Sequence, residues 1–192
     1  MTTFQIPARE DNRRPIKGWI HTVGGRPFFP ERPNPMALKI EDIAHALANL
    51  CRFTGHTKEF YSVAQHSVLV AEACPARLRL AGLLHDASEA YTGDVATPIK
   101  HLLGQRFAMI EAAVQEAICT RFGLDSGVFD DDELVEADRR LLATEKRDLM
   151  NKEPWPWHPM PEPLIDRIVP LTPGEAQGLF LNTWKKLKGT QP

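Results

Sequence analysis

From Ile40 onward, apolar residues recur at intervals of three and four. Ile40, Ile43, Ala44, Leu47, Leu50 and Cys51 fall on one helical face, and Glu41 and Asp42 sit at the end where the helix dipole favours acids. This spacing predicts a helix to about Arg52. A second is predicted from about Tyr61 to Cys74 through Val63, Ala64, Val68 and Ala71. Pro75 suits the first turn of a third, which runs through Leu78, Leu80, Ala81, Leu84 and Ala87. The stretch from Thr92 to Pro98 breaks the period and reads as a loop. Helical spacing returns over Phe107 to Phe122 and Glu133 to Met150, on either side of an Asp-rich loop. Five prolines between Pro154 and Pro163 rule out regular structure there, and Gly174 to Leu187 restores one last apolar period with Leu179, Phe180 and Trp184. Upstream of the helices, Pro, Arg and Gly dominate an irregular arm. Within it Trp19, Ile20, Thr22 and Val23 face Phe28 and Phe29 across Gly24-Gly25 as a candidate hairpin. The expectation is an all-α bundle of about six helices. It forms one domain, with the irregular arm over 1–36, a helical core over 40–150, and a Pro/Trp-rich segment with a final helix over 151–192.

At 192 residues the chain is long enough for one sizeable core, whereas two would each lie near the lower limit of stability. Apolar residues at 43% and charged residues at 25% match ordinary soluble proteins. Net charge is -2 with both signs interspersed, which argues against a nucleic-acid polymer or an anionic membrane as partner. A small anion needs only a few convergent cations in a cleft and stays open as a ligand. Cys51, Cys74 and Cys119 are far apart among apolar residues, as buried free thiols are in a reducing compartment. No leader and no bilayer-spanning apolar run is present, so a cytoplasmic location is expected.

Against this background Leu83-Leu84-His85-Asp86-Ala87-Ser88-Glu89 stands out. An apolar helix that should continue as core instead presents three ionisable groups, which are costly to bury unpaired. On a helix, His85 and Asp86 lie about 100° apart and can converge on one cation, and Glu89 follows one turn later on the same face. Bundle sites of this kind are completed from facing helices, and two residues fit. His66 lies among apolar and small neighbours in Ala64-Gln65-His66-Ser67-Val68, and Asp138 follows Ala137 in another helix. Taken singly, His66 reads as a hydrogen-bonded core histidine and Asp138 as a solvated helix acid. The set of two histidines and two aspartates, each flanked by core residues, points to a metal. Imidazoles and carboxylates without thiolate suit Co, Mn, Mg, Zn or Fe alike. A bound divalent ion lowers the pKa of its water and stabilises charge on a phosphoryl oxygen, and Glu89 is placed to orient that water or accept its proton, or else to hydrogen-bond a ligating histidine from behind. Arg52 offers a planar fork for phosphate, or else caps its own helix.

The order His66, His85-Asp86, Asp138 resembles the H…HD…D signature of the HD superfamily of metal-dependent phosphohydrolases. His85 to Glu89, followed by Thr92-Gly93-Asp94 and Thr97-Pro98-Ile99-Lys100, looks like the bacterial 5'-deoxynucleotidase branch. Cys51 to His56 and Tyr61 to Ser67 are similar to the upstream half of related nucleotide phosphohydrolases, some of which act on triphosphates. The resemblance covers roughly residues 40 to 150. It implies an all-α HD-domain bundle in which His66, His85, Asp86 and Asp138 hold the metal and Glu89 is the catalytic carboxylate. It further implies that Arg52 orients the phosphate and that Asp94, Val95, Ala96 and Thr97 contact sugar and base. After the arginine the deoxynucleotidase branch carries Trp, whereas this chain carries Phe53, a departure that bears on specificity. Lys100 reads as a contact to a distal phosphate or as a solvated lysine, and Asp94 as an acid for the leaving oxygen or as a turn former. Trp19 suits the wall of a base pocket or the packing of the arm, and Trp155-Pro156-Trp157 a lid or an oligomer contact. The resulting expectation is a homo-oligomeric enzyme that releases phosphate from deoxynucleoside monophosphates, small-molecule nucleotides being its partners. A deoxynucleoside triphosphohydrolase on the same scaffold and a non-catalytic metal- or nucleotide-binding regulatory module are the alternatives.

Overall fold

The computed structural model describes residues 18–189, and the arm before Gly18 lies outside them. In the described part of the arm the hairpin forms: β1 (Ile20–His21) pairs antiparallel with β2 (Pro27–Phe28), with Ile20 opposite Phe28. The turn docks on the helices through Gly24, whose N–H donates to Asp42 Oδ1 at 2.9 Å. A Cβ at Gly24 would lie 2.6 Å from that oxygen, so the close approach requires glycine. Phe28 is buried and stacks on Tyr91, with ring centroids 3.9 Å apart.

The rest of the chain is helical. The helices are α1 (Ile40–Asn49), α2 (Val63–Ala73), α3 (Arg79–Leu84), α4 (Glu89–Thr92), α5 (Thr97–Leu103), α6 (Gln105–Phe122), α7 (Asp132–Leu149) and α8 (Pro173–Gly189). Helix α2 is the central rod. It is capped by Ser62 Oγ, which accepts from the Gln65 N–H at 3.2 Å, it is buried from Val63 through Val68, and it packs against α1, α3, α7 and α8. One cluster of buried apolar residues joins α1, α2 and α8 to Val114, Ile118 and Phe122 of α6. A second, with Val70, Ala81, Leu134 and Leu141, fills the junction of α2, α3 and α7. Each fully buried Leu or Val there contributes roughly 1.5–3 kcal/mol, which makes the α2–α7 junction a rigid base for polar groups.

Several predicted boundaries change for local reasons. Helix α1 stops at Asn49 rather than near Arg52, because Leu50 is extended, Cys51 bridges to Ser62, and Arg52 opens a 3-10 turn over Arg52–Gly55. The third predicted helix is divided into a 3-10 turn over Ala76–Leu78, then α3, then a tight turn, then α4. In that turn the N–H groups of Ala87 and Glu89 donate to carbonyls three residues back, at Leu84 and Asp86. Gly82 lets α3 press on α2, since a Cβ there would meet the Ala71 Cα at 3.0 Å. The stretch predicted as loop from Thr92 to Pro98 ends inside α5, which starts at Thr97 with Pro98 in its first turn, where a missing N–H costs nothing.

The proline-rich segment 151–172 is irregular as predicted, yet its backbone is held by side chains of α7 and α2. It doubles back over α7 and then runs along it. Leu164 N–H donates to Thr144 Oγ1 at 2.8 Å, Arg147 donates to the Leu164 and Asp166 carbonyls at 2.6 and 2.9 Å, and Ile168 N–H donates to Asp148 at 3.0 Å. On α2, Gln65 donates to the Val169 carbonyl at 2.8 Å and accepts from Leu171 N–H at 2.9 Å. Side chains thereby satisfy backbone groups that no ladder provides for. Among the described residues no helix is long and apolar enough to cross a membrane.

Candidate metal centre

His66 is the fourth residue of α2 and is entirely buried, because the helix around it is enclosed on every side. His85 and Asp86 occupy the tight turn between α3 and α4. Asp138 projects from α7, whose Leu134, Ala137 and Leu141 anchor the helix in the core. These four side chains meet. His66 Nε2 and His85 Nε2 are 3.2 Å apart, and Asp86 Oδ2 is 3.3 Å from each. Asp138 Oδ1 is 3.3 Å from His66 Nε2 and 3.9 Å from His85 Nε2. His66, His85 and Asp138 place one ligand atom each within 4.8 Å of one another.

Both rings are held from behind. His66 Nδ1 is 2.7 Å from Glu145 Oε1, and His85 Nδ1 is 2.7 Å from the Gly82 carbonyl. A carbonyl only accepts, so His85 carries a hydrogen on Nδ1 and a neutral ring presents its Nε2 lone pair to the centre. The His66 and His85 nitrogens and an Asp138 oxygen thus form a group that could hold one ion, with Asp86 Oδ2 beside both nitrogens, and such a donor set fits a divalent cation. The ionisation of the cluster has the same sense. Burial and the Arg52 charge oppose protonation of His66, but Glu145, Asp138 and Asp86 outweigh them and lift its pKa well above the usual range. His85 is raised against burial by Asp86. Asp86 and Asp138 are both lowered despite burial, Asp86 by His85 and His66 and Asp138 chiefly by His66. The cluster therefore attracts positive charge, and a bound cation answers it directly. Cys51, Cys74 and Cys119 are free thiols outside the cluster.

Arg52 borders the centre. Its Nη2 donates to Glu145 Oε2 at 3.1 Å and its Nη1 lies 3.5 Å from Asp86 Oδ2. Its pKa is raised, burial being outweighed by Glu145 and Asp86. The guanidinium spans two carboxylates and does not cap α1. The Phe53 ring lies against it, 5.3 Å from centroid to Cζ. Trp157 meets the Phe53 ring at 6.3 Å beneath the Lys146 ammonium, while Trp155 is exposed. Glu145 was missed by the sequence reading. Its place two turns after Asp138 on α7 gains meaning only once that face is seen to pack against α2.

On the opposite flank Glu89 opens α4 and is buried, with Lys100 Nζ 3.7 Å from its Oε1 and 2.8 Å from Glu111 Oε1. His85, Asp86, Glu89, Lys100 and Glu111 line an open cleft of about 240 Å³. Glu89 Oε2 has no hydrogen-bond partner. Burial, then the Asp86 and Asp94 charges, push the Glu89 carboxyl up to about 9. Asp94 is half-buried with its own Oδ2 unpartnered, and burial raises its pKa against the pull of Arg52. Val95 and Ala96 are partly buried in the loop before α5, and Thr97 is exposed at its start. Trp19 is 56% exposed in the hairpin, with a ring contact to His21 at 5.6 Å. The fold thus brings His66, His85, Asp86, Asp138, Arg52, Glu89 and Lys100 to one place, with Phe53 and Asp94 at its edge. Trp19 and Thr97 make no described contact with that group.

No family model matches the chain. It is 36% identical over 172 residues to the uncharacterized protein YfdR of Escherichia coli, an alignment covering 88% of this chain and 95% of YfdR. The chain belongs to the YfdR family. An uncharacterized Rhodobacter capsulatus protein is 42% identical over 117 residues, 56% of this chain and 60% of that one. A more distant similarity links this YfdR-family chain to a Photobacterium profundum protein named as a 5'-deoxynucleotidase, with 31% identity over 98 residues, 48% of this chain and 42% of the relative.

Proposed function

We propose that this member of the YfdR family is an HD-type, divalent-metal-dependent phosphohydrolase whose substrate is a deoxynucleoside 5'-monophosphate. One observation carries the reading: His66, His85 and Asp138 each offer a ligand atom within 4.8 Å of one another, with Asp86 Oδ2 3.3 Å from both imidazole nitrogens and a buried carboxyl, Glu89, beside them that takes no part in the convergence. A purely structural metal site is closed by its ligands. Here the Asp138 side chain is 41% exposed and the Glu89 cleft leaves one flank open. The relative named as a 5'-deoxynucleotidase supports the substrate class.

His66, His85, Asp86 and Asp138 would hold the cation, which supplies Lewis acidity toward water and toward a phosphoryl oxygen. Glu89 offers its free Oε2 to orient the attacking water and, once a bound cation offsets the Asp86 and Asp94 charges that hold its carboxyl up, to take its proton, with Lys100 steadying Oε1. As water adds to phosphorus the bond to the 5' oxygen breaks, and that oxygen needs a proton. Asp94, raised by burial, is the acid at hand. Arg52 is held in place by Glu145 and Asp86 and keeps its Nε without a partner as a donor to phosphate.

The test is a hydrolysis screen of nucleoside mono-, di- and triphosphates with Mn, Co, Mg and Zn in turn. Metal-dependent release of inorganic phosphate from deoxynucleoside monophosphates is expected. Tripolyphosphate from triphosphates would move the substrate to the triphosphohydrolase class. A metal-loaded protein that binds nucleotides and hydrolyses none would be a binding module instead.

A further inference from the structure

We infer that Glu145 is a positioning residue: it selects the ring tautomer with which His66 can bind a metal, and Arg52 holds it in place for that task. The inference rests on the reading of His66 as a ligand. Glu145 is fully buried, and each of its oxygens has a different partner. Oε1 lies 2.7 Å from His66 Nδ1 and Oε2 lies 3.1 Å from Arg52 Nη2. An ionised carboxylate has no hydrogen to give, so both partners must be donors. His66 therefore carries a hydrogen on Nδ1, and in the neutral ring the lone pair on Nε2 faces His85, Asp86 and Asp138. With the hydrogen on Nε2 instead, the ring would aim that hydrogen at the centre and coordinate nothing.

His85 obtains the same tautomer from a backbone carbonyl, Gly82, which cannot be mutated away or change its charge. His66 depends on a side chain. The Arg52 guanidinium donates to the second oxygen and so fixes the rotamer that sets Oε1 against His66 Nδ1.

Glutamine at this position has nearly the same shape but one acceptor and one donor, so it cannot serve two donors. If its NH2 faces His66, Nδ1 must accept and the hydrogen moves to Nε2. If its NH2 faces Arg52, donor meets donor in a buried place. Glu145→Gln is therefore expected to weaken zinc binding by ~10–100-fold, the range found for partners that orient a metal-bound histidine. The measurement is isothermal titration of the chelator-stripped full chain with zinc, with the visible absorption spectrum of the cobalt form as a second readout that should shift. A variant that melts earlier yet binds zinc with wild-type affinity and keeps the cobalt spectrum would overturn the inference and leave the metal centre standing. A wild-type chain that binds no divalent ion would overturn both. Should Glu145→Gln fail to fold, nitrogen NMR of the zinc-loaded wild type with labelled histidine decides: a hydrogen on His66 Nδ1 is expected, and its absence would contradict the assignment.

Discussion

Glu89 is the residue at which burial and local charge act together most strongly. Its carboxyl moves from an ordinary 4.5 to about 9, through burial first and then the neighbouring Asp86 and Asp94. A carboxyl raised on folding favours the fold fully below its unfolded pKa, and that contribution is lost as pH rises through the folded value. The metal-free protein is therefore expected to lose stability between pH 4.5 and about 9. Glu89→Gln, neutral throughout, should melt higher than wild type near the top of that window and with a flatter pH dependence, by ~2–4 °C for each kcal/mol in a chain of this size. Melting curves across the window in chelator check this, and a difference between the two proteins that ignores pH would show that Glu89 ionises normally. The same variant should retain its metal and hydrolyse at least ~100-fold more slowly, the scale of one positioned acid-base group. The cluster was legible because His66 and His85-Asp86 interrupt apolar periods that have no other use for charge. Glu145 was not legible. It stands in Glu145-Lys146-Arg147-Asp148, a run that reads as a solvated face, and only packing against α2 shows that Glu145 turns inward.

The element that delivers Arg52 to the centre is the turn after α1, and it departs most from relaxed geometry. Phe53 (φ 53, ψ 33) and Thr54 (φ 54, ψ 28) are both left-handed without being glycine. Such residues cost roughly 1–2 kcal/mol each, and glycine removes the cost while giving back part of it as chain entropy. Thr54 is exposed, so Thr54→Gly is expected to raise the thermal midpoint by ~1–4 °C, while Thr54→Pro, with φ locked near the opposite sign, should lower it. Calorimetry of the pair is the check, and a glycine variant that melts lower would mean the turn is not strained. Helices α1, α6, α7 and α8 were legible because each buries one face against the core, and α2 because its apolar and small residues let it be enclosed as the central helix. Helix α5 buries nothing, so its residues carry no period, and Thr97-Pro98 looks like a loop until Pro98 is seen in the first turn. The break at residues 85–88 was hidden for the opposite reason: Leu83, Leu84 and Ala87 keep an unbroken apolar spacing through a turn that changes the hydrogen-bond register.

Across the whole molecule, segment 151–172 ties the end of α7 to α8 through side-chain contacts, with Gln65 of the central helix bonded to the backbone on both sides of Pro170. Gln65→Ala removes both bonds and leaves a donor and an acceptor of the segment unserved, at a cost of ~1–3 kcal/mol. Limited proteolysis should then cut between residues 151 and 172 faster than in wild type, and unchanged cleavage would mean that α7 alone holds the segment. Since Gln65 adjoins His66 in α2, the same central helix holds both the segment and the buried histidine of the candidate centre. Function turns on whether His66, His85, Asp86 and Asp138 hold one cation together. The most direct measurement is the metal content of wild type and Asp138→Ala after stripping, reloading with cobalt or manganese and gel filtration. Because ligand loss leaves an unsaturated, partly buried site, wild type should retain on the order of one ion per chain and the variant far less, with phosphate release from deoxynucleoside monophosphates falling in parallel. Full metal content in Asp138→Ala, or none in wild type, would contradict the assignment of these four residues.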